Sequence, residues 1–107
     1  MAAIRLSVPK TAKQGEIIEL KALIRHDMES GYRRDTHGKA IPRKILTHFK
    51  CQYNDTVIFS VDMHPGVSAN PILKFHTRAT ESGTLLFTWT EQTGEVFSKS
   101  ADITVTS

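Results

Sequence analysis

Hydrophobic and polar residues alternate along this chain in short runs, which is the pattern of half-buried β-strands. The first run covers residues 4–8 and is predicted to end at Pro9. A second run follows Gly15 and places these residues on one face: Ile18, Leu20, Ala22 and Ile24. A helix is the alternative for the second run, because Glu, Leu, Lys and Ala favour helices and Leu23 falls on the opposite strand face. We predict a strand in both places.

The clearest alternation in the first half begins at Ile45 and predicts one arm of a β-hairpin. The inward face of this arm is predicted to carry Ile45, Thr47, Phe49, Cys51 and Tyr53, and the opposite face Leu46, His48, Lys50 and Gln52. Asn54 and Asp55 form a turn signal. The returning arm then places on one face Val57, Phe59, Val61 and Met63. The sequence therefore predicts a hairpin over residues 45–63, with the thiol of Cys51 pointing inward.

Three further runs follow in the second half, separated by turn residues. Residues 73–79 alternate between apolar or small side chains and the basic residues Lys74, His76 and Arg78. Residues 84–90 carry Leu85, Phe87 and Trp89 on one face, so this run is the best candidate for a central core strand. In residues 96–105, Lys99 interrupts the apolar face, which predicts a β-bulge there.

These runs, with no convincing helix between them, predict an all-β protein. We expect a single domain over residues 1–107, folded as an immunoglobulin-like antiparallel β-sandwich of about seven strands.

Two stretches break the strand pattern. The first, Arg25–Lys44, is rich in basic residues and contains Gly and Pro breakers, so we expect it neither to continue a strand nor to be buried. The second, His64–Pro71, contains two prolines that oppose regular pairing. In one plausible tracing both lie at the same end of the sandwich and form a composite surface. The longer stretch is therefore either a solvated insertion or a docking surface.

Composition narrows the class of partner. Hydrophobic residues make up 39% and charged residues 23% of the chain, as in ordinary soluble globular proteins. A net charge of +3, with basic residues concentrated in residues 25–50, favours an anionic protein surface over nucleic acid. The first ten residues contain neither a signal peptide nor a twin-arginine pattern, so we expect no export signal in this chain. No apolar run is long enough to cross a bilayer.

The residues that could support chemistry are not arranged as in an enzyme. Cys51 is the single cysteine, and its strand position favours a buried thiol over a nucleophile. The five histidines lack metal-binding spacing. The carboxylates are scattered through predicted turns and outer faces without pairing: Glu16, Glu19, Asp27, Glu29, Asp35, Asp62, Glu81 and Glu91. We predict no catalytic residue, no cofactor and no metal site.

Three segments together carry a family resemblance that spans nearly the whole chain. They are HDMESGYRRDTHGKAIPRKI from His26 to Ile45, HPGVSANP from His64 to Pro71, and ATESGTLLFTWTEQTGEVF from Ala79 to Phe97. In this order and at this spacing they resemble the SoxZ family, the small subunit of the thiosulfate-oxidation carrier complex. The resemblance implies an immunoglobulin-like sandwich, in agreement with the strand pattern.

The resemblance also implies a function. Proteins of this family are noncatalytic and form a heterodimer with SoxY, whose flexible C-terminal arm bears the cysteine that carries sulfur between periplasmic enzymes. The implied location is the periplasm, reached by export of the folded pair under the twin-arginine signal of the SoxY subunit. This chain ends ADITVTS, without a glycine-flanked cysteine, so Cys51 is not expected to carry sulfur. From the loop argument, the candidate partner-binding residues are Arg33, Arg34, Arg43, His64 and Asn70.

Two other classes of function stay open. One is an enzyme that uses Cys51 together with a histidine. The other is a stand-alone β-sandwich adhesion or interaction module that pairs with itself through an exposed edge strand. For the leading hypothesis we expect a SoxY-like partner and transient contacts with sulfur-oxidising enzymes, and neither nucleic acid nor a membrane as a partner.

Overall fold

The computed structural model forms two packed β-sheets. It describes residues 3–28, 34, 36–39, 43–64, 67 and 69–107. Within these residues the strands are β1 (Ile4–Ser7), β2 (Thr11–Lys13), β3 (Ile17–Ile24), β4 (Leu46–Tyr53), β5 (Thr56–Asp62), β6 (Ile72–Arg78), β7 (Gly83–Glu91) and β8 (Val96–Thr106). One sheet has the order β1-β3-β6 and the other β2-β8-β7-β4-β5. The described residues include no helix long and apolar enough to span a membrane.

The core lies between the two sheets, where each contributes its apolar face. The three-stranded sheet buries Ile18, Leu20, Ala22, Ile24 and Phe75, and the five-stranded sheet buries Phe49, Cys51, Leu85, Phe87 and Trp89. The Phe49 ring joins the two layers, since its centroid lies 4.9 Å from that of Trp89 and 6.0 Å from that of Phe75. The predicted all-β sandwich is therefore confirmed. The strand prediction for β3 is also confirmed, and the helix alternative is wrong.

The position of β7 follows the sequence prediction. It occupies the middle of the five-stranded sheet, with β8 on one side and β4 on the other. Three of its alternating side chains, Leu85, Phe87 and Trp89, are fully buried. The prediction of a central core strand at residues 84–90 is confirmed.

The alternation of hydrophobic and polar residues does not predict β2. This strand has three residues and only Ala12 is buried, so it offers too short a pattern to detect. It pairs with β8 in parallel, from Thr11 opposite Thr104 to Lys13 opposite Thr106. The described residues therefore contain eight strands instead of about seven, and one edge pairing of the otherwise antiparallel sandwich is parallel.

The predicted β4–β5 hairpin is present, but two bulges change which side chains face the core. The β4–β5 register shifts after Cys51, and Ile58 is the extra residue. Val57, predicted to share one face with Phe59, Val61 and Met63, is consequently 51% exposed. The β4–β7 register shifts between Leu46 and His48, and Leu46, predicted outward, is fully buried. Both predicted orientations were wrong, because a bulge reverses the alternation on which they depend.

The bulge predicted at Lys99 is absent from the β7–β8 pairing. That pairing runs without a register shift from Gly83 opposite Ile103 to Thr90 opposite Val96. The Lys99 Nζ instead donates a hydrogen bond to the Ile4 carbonyl oxygen, 3.2 Å away on β1. A lysine can occupy this face because its long side chain carries the ammonium group to the rim of the sandwich.

Candidate functional site

The two irregular segments predicted to form a surface are joined by His26 and Asn70. The Asn70 Oδ1 accepts a hydrogen bond from the His26 backbone N–H at 2.9 Å. The Asn70 backbone N–H donates to the His26 carbonyl oxygen at 2.7 Å. Asn70 has a left-handed φ of 53°, which Asn adopts more readily than most residues. These bonds hold His26, near the start of the 25–44 segment, against Asn70, near the end of the 64–71 segment, so these two residues lie at the same end of the sandwich.

The His26 ring extends from this junction into the sandwich and contacts Glu91. Its Nε2 lies 2.7 Å from the Glu91 Oε2, and the two side chains are only 7% and 0% exposed. The Met28 backbone N–H donates to Nδ1 at 3.0 Å, so Nδ1 is an acceptor. In the neutral ring the proton therefore resides on Nε2, which donates to the carboxylate.

Glu91 is the last residue of β7 and its carboxylate is held from two sides. The Thr93 hydroxyl donates to Oε1 at 2.6 Å, and the His26 ring occupies Oε2. Burial by itself raises the pKa of this carboxyl. The two hydrogen bonds and the positive charge of Lys44 lower the pKa by a larger amount. The net effect places the Glu91 pKa below its ordinary value, and the buried group is a carboxylate at neutral pH.

Further contacts close to the His26–Glu91 pair anchor residues at both ends of the long basic segment. At one end Met28 is buried, and its Sδ accepts a hydrogen bond from the Leu46 N–H at 3.3 Å. At the other end Ile45 is buried, and its carbonyl oxygen accepts from the Gln92 N–H at 2.9 Å. The prediction that residues 25–44 cannot be buried is therefore wrong for His26 and Met28. His26 contacts Glu91 and Met28 contacts Leu46, and neither of these partners belongs to the segment.

The prediction that the carboxylates lie in turns and on outer faces is wrong for Glu91, which is buried. A signal was available in the sequence, because Glu91 continues the alternation of Leu85, Phe87 and Trp89 and so falls on the inward face. A carboxylate at an inward position requires a hydrogen-bonding partner. The partner itself, His26, lies 65 residues away, and only the fold brings it close.

The structure places four of the five candidate partner-binding residues. Arg34, Arg43, His64 and Asn70 are all exposed. The Arg34 Nη1 donates to the Gly38 carbonyl oxygen at 2.9 Å. Asn70 belongs to the junction with His26, and Arg33 lies outside the described residues. The role of all five in partner binding stays a prediction.

The thiol of Cys51 is enclosed by the core. The side chain is fully buried, and its cross-strand neighbours are Phe59 and Phe87. Burial raises the pKa of this thiol to about 12. The prediction of a buried structural cysteine is confirmed. Among the described residues, no group of three or more His, Cys, Asp or Glu side chains is placed to hold a metal ion.

Fold and site together define an all-β sandwich protein, with two loops tied to its core by a buried histidine–glutamate pair and with a buried thiol. The family described as sulphur oxidation protein SoxZ matches residues 4–102. The chain belongs to the SoxZ family. No curated protein matches the sequence.

Solved structures share the fold at low sequence identity. A superoxide reductase (neelaredoxin) from Ignicoccus hospitalis superposes with a TM-score of 0.73 at 13% identity, over 95% of this chain and 78% of that one. The sulfur carrier protein SoxY from Chlorobium limicola f thiosulfatophilum gives a TM-score of 0.69 at 14% identity, over 98% and 80%. A CARDB domain from Pyrococcus furiosus gives 0.55 at 13% identity, over 98% and 94%. At these identities the similarity concerns the fold alone.

Proposed function

We propose that this chain is a noncatalytic subunit of a sulfur-carrier complex in thiosulfate oxidation. In this proposal it forms a heterodimer with a SoxY-like subunit that holds the sulfur covalently, and it helps dock the sulfur-oxidising enzymes. Membership of the SoxZ family over residues 4–102 supports the assignment to sulfur oxidation.

The observation that carries the noncatalytic role is the burial of Cys51. A sulfur carrier or nucleophile needs an accessible thiolate. The Cys51 thiol is fully buried, and burial raises its pKa to about 12. A partner subunit must therefore supply the sulfur-bearing thiol, and this chain acts through its surface.

The end of the sandwich around the His26–Asn70 junction is the proposed contact for the SoxY-like subunit. Arg34 and Arg43 are exposed on the basic segment, and His64 is exposed on the second segment. The buried His26–Glu91 pair fixes His26, near the start of the first segment, to β7, and a fixed anchor of this kind reduces the conformational entropy lost when a partner binds. A preorganised, cationic surface suits a partner with acidic side chains.

Coexpression with the SoxY-like chain of the same organism tests this proposal. We expect the two chains to comigrate as a one-to-one complex in size-exclusion chromatography, and Cys51→Ala to leave the complex intact. The pair Arg34→Glu and Arg43→Glu should weaken the complex by about tenfold or more, because it reverses charge at the contact. Lys50→Glu, on the five-stranded sheet, is the control and should have little effect. Separate migration of the two unmodified chains would contradict the proposed heterodimer.

We further propose that the chain acts in the periplasm, exported together with a partner that bears the twin-arginine signal. Cell fractionation tests this. The chain should appear in the periplasmic fraction when the SoxY-like partner is present and stay in the cytoplasm when the signal of the partner is deleted. Periplasmic accumulation without any partner would contradict joint export.

Sedimentation of the isolated chain distinguishes this proposal from a self-pairing module. We expect no tight homodimer, and any weak self-association should disappear when the SoxY-like chain is added. A tight homodimer that persists in the presence of that chain would instead identify a stand-alone interaction module.

A further inference from the structure

The outer face of the three-stranded sheet is formed by β1, β3 and β6, with β3 in the middle. Alternation places these side chains outward: Arg5 and Ser7 on β1, Ile17, Glu19, Lys21 and Leu23 on β3, and Ile72, Lys74, His76 and Arg78 on β6. The strand register arranges them in rows. One row is Arg5, Leu23 and Ile72, and the next is Ser7, Lys21 and Lys74. Glu19 then lies opposite His76, and Ile17 opposite Arg78. We call this surface the basic face.

The basic face carries a local excess of positive charge. It carries four cationic side chains and the single carboxylate of Glu19. With His76 neutral these give the same net charge as the full chain, +3. On the other sheet, the charges of the outward strand residues cancel, because the two lysines Lys13 and Lys50 are matched by the two carboxylates of Asp62 and Asp102. The two outer surfaces of the sandwich therefore present different electrostatic potentials to solvent.

Glu19 does not neutralise this face. Its carboxylate lies 3.6 Å from the Lys21 Nζ, 3.5 Å from the Lys74 Nζ and 3.5 Å from the His76 Nε2. One negative charge is thus shared among several donors. The lysine side chains remain 45% and 57% exposed, so they are accessible to a partner. The carboxylate also holds the two ammonium groups near each other, which limits their loss of freedom on binding.

Apolar side chains at both ends of the basic face indicate the class of partner. Ile72 is 62% exposed and lies opposite the half-buried Leu23 in the register. Ile17, at the other end, is 55% exposed. Exposed aliphatic groups among cations fit a folded protein whose acidic side chains surround small apolar patches. The outward strand residues of the face include no Phe, Tyr or Trp on which bases could stack, which disfavours nucleic acid.

We propose that the basic face is the docking surface for acidic sulfur-oxidising enzymes that visit the carrier complex. This inference rests on the proposed function and extends it, because it assigns the visiting enzymes to a surface separate from the SoxY-like contact. Charges dominate this face and its apolar area is small, so the contact is transient and its association rate is set by electrostatic steering.

The test measures association of each purified sulfur-oxidising enzyme from the same organism with the immobilised full chain. The variant Lys21→Glu with Lys74→Glu reverses two charges on the basic face. The control variant Lys13→Glu with Lys50→Glu makes the same change in net charge on the other sheet. The milder pair Lys21→Gln with Lys74→Gln replaces the first variant if it unfolds. Each variant counts as folded when its far-ultraviolet circular dichroism spectrum and its denaturation midpoint match those of the unmodified chain.

At an ionic strength of about 0.01 M we expect at least one enzyme to associate about tenfold more slowly with the basic-face variant than with the unmodified chain. The control variant should change the rate by less than about twofold, and the difference should largely disappear at about 1 M salt. Equal effects of the two variants would overturn the proposal, as would the absence of any salt-dependent association.

Two probes separate the proposed partner from other anionic partners. A double-stranded DNA oligomer and vesicles containing phosphatidylglycerol should bind more weakly than the enzyme. Tighter binding of either through Lys21 and Lys74 would also overturn the proposal. The assay uses this chain by itself, so failure of the SoxY-like chain to form a complex would contradict the proposed function without deciding the role of the basic face.

Discussion

Cys51 shows how the position of one side chain limits the chemistry of the whole chain. Its thiol lies on the inward face of β4, between the cross-strand neighbours Phe59 and Phe87. The surrounding core disfavours the thiolate and raises the pKa to about 12. Since the thiolate is the reactive form, the native thiol should be nearly inert near neutral pH.

We therefore predict that an aromatic disulfide reagent modifies the native protein slowly at about pH 8 and modifies one thiol per chain rapidly after unfolding in denaturant. The release of the coloured thiolate measures both rates. The reaction in denaturant serves as the control for reagent activity. Rapid modification of the folded protein would show that Cys51 is accessible and would reopen the enzyme hypothesis.

Glu91 makes folding stability depend on pH at the acid end. Its folded pKa lies below the ordinary value of 4.5 because hydrogen bonds from Thr93 and His26, and the charge of Lys44, outweigh the effect of burial. The unfolded state therefore binds a proton more readily than the folded state does. This contribution to stability is present above about pH 4.5 and is lost as the pH falls through the folded pKa.

The variant Glu91→Gln should remove that part of the pH dependence. At neutral pH we expect it to lower the free energy of unfolding by about 1.5–3 kcal/mol, the usual range for a hydrogen bond to a charged group. The difference from the unmodified chain should shrink as the pH is lowered below about 4.5. Urea denaturation at a series of pH values measures it.

The matched control is Glu95→Gln in the same turn, where the side chain is exposed. This variant should change the free energy of unfolding by less than about 0.5 kcal/mol. If Glu91→Gln and Glu95→Gln behaved alike at neutral pH, the buried pair with His26 would not stabilise the fold.

At the scale of the elements, the turn between β4 and β5 is fixed by a contact with β7. Asn54 and Asp55 have left-handed φ values of 47° and 71°, the geometry of a two-residue turn that follows the twist of the strands. The Asn54 Oδ1 accepts a hydrogen bond from the Thr84 N–H at 2.9 Å, and its Nδ2 donates to the Ser82 carbonyl oxygen at 3.2 Å. These bonds are possible because Gly83 has no side chain.

A Cβ at residue 83 would lie 1.9 Å from the Asn54 Oδ1, so Gly83→Ala must displace that side chain. We expect a loss of about 1–3 kcal/mol in the free energy of unfolding, because both hydrogen bonds are disrupted. Asn54→Gly keeps the turn conformation and removes the obstructing side chain. In that background Gly83→Ala should cost clearly less, which a double-mutant cycle of urea denaturation measures. An unchanged cost would mean that the Asn54 contact is not the cause.

At the scale of the whole molecule, both sheets share one core. Trp89 is the single tryptophan and is fully buried in β7. Phe49 connects it to the three-stranded sheet through Phe75. A core of this kind links the sheets, so their unfolding should be cooperative.

We predict that tryptophan fluorescence and far-ultraviolet circular dichroism report coincident urea transitions, with an m value of about 1–3 kcal/mol/M. Iodide should not quench the native emission of Trp89 and should quench it after unfolding. Transitions that separate would indicate that one sheet unfolds before the other.

The sequence by itself determined seven of the eight described strands and many of the residues that form the core. Alternation over five or more residues identifies the inward face, because successive side chains of a strand point to opposite sides of a sheet. This placed Ile18, Phe75 and Trp89 in the core and identified Cys51 as buried. The same alternation, continued by one step, also pointed to an inward position for Glu91.

Only the tertiary structure decided which residues meet across the chain. Bulges reversed the predicted orientations of Leu46 and Val57, since one extra residue changes the phase of a strand. The contacts of Glu91 with His26, and of His26 with Asn70, span 65 and 44 residues. Contacts at that separation depend on the order of strands in the two sheets, which local periodicity does not specify.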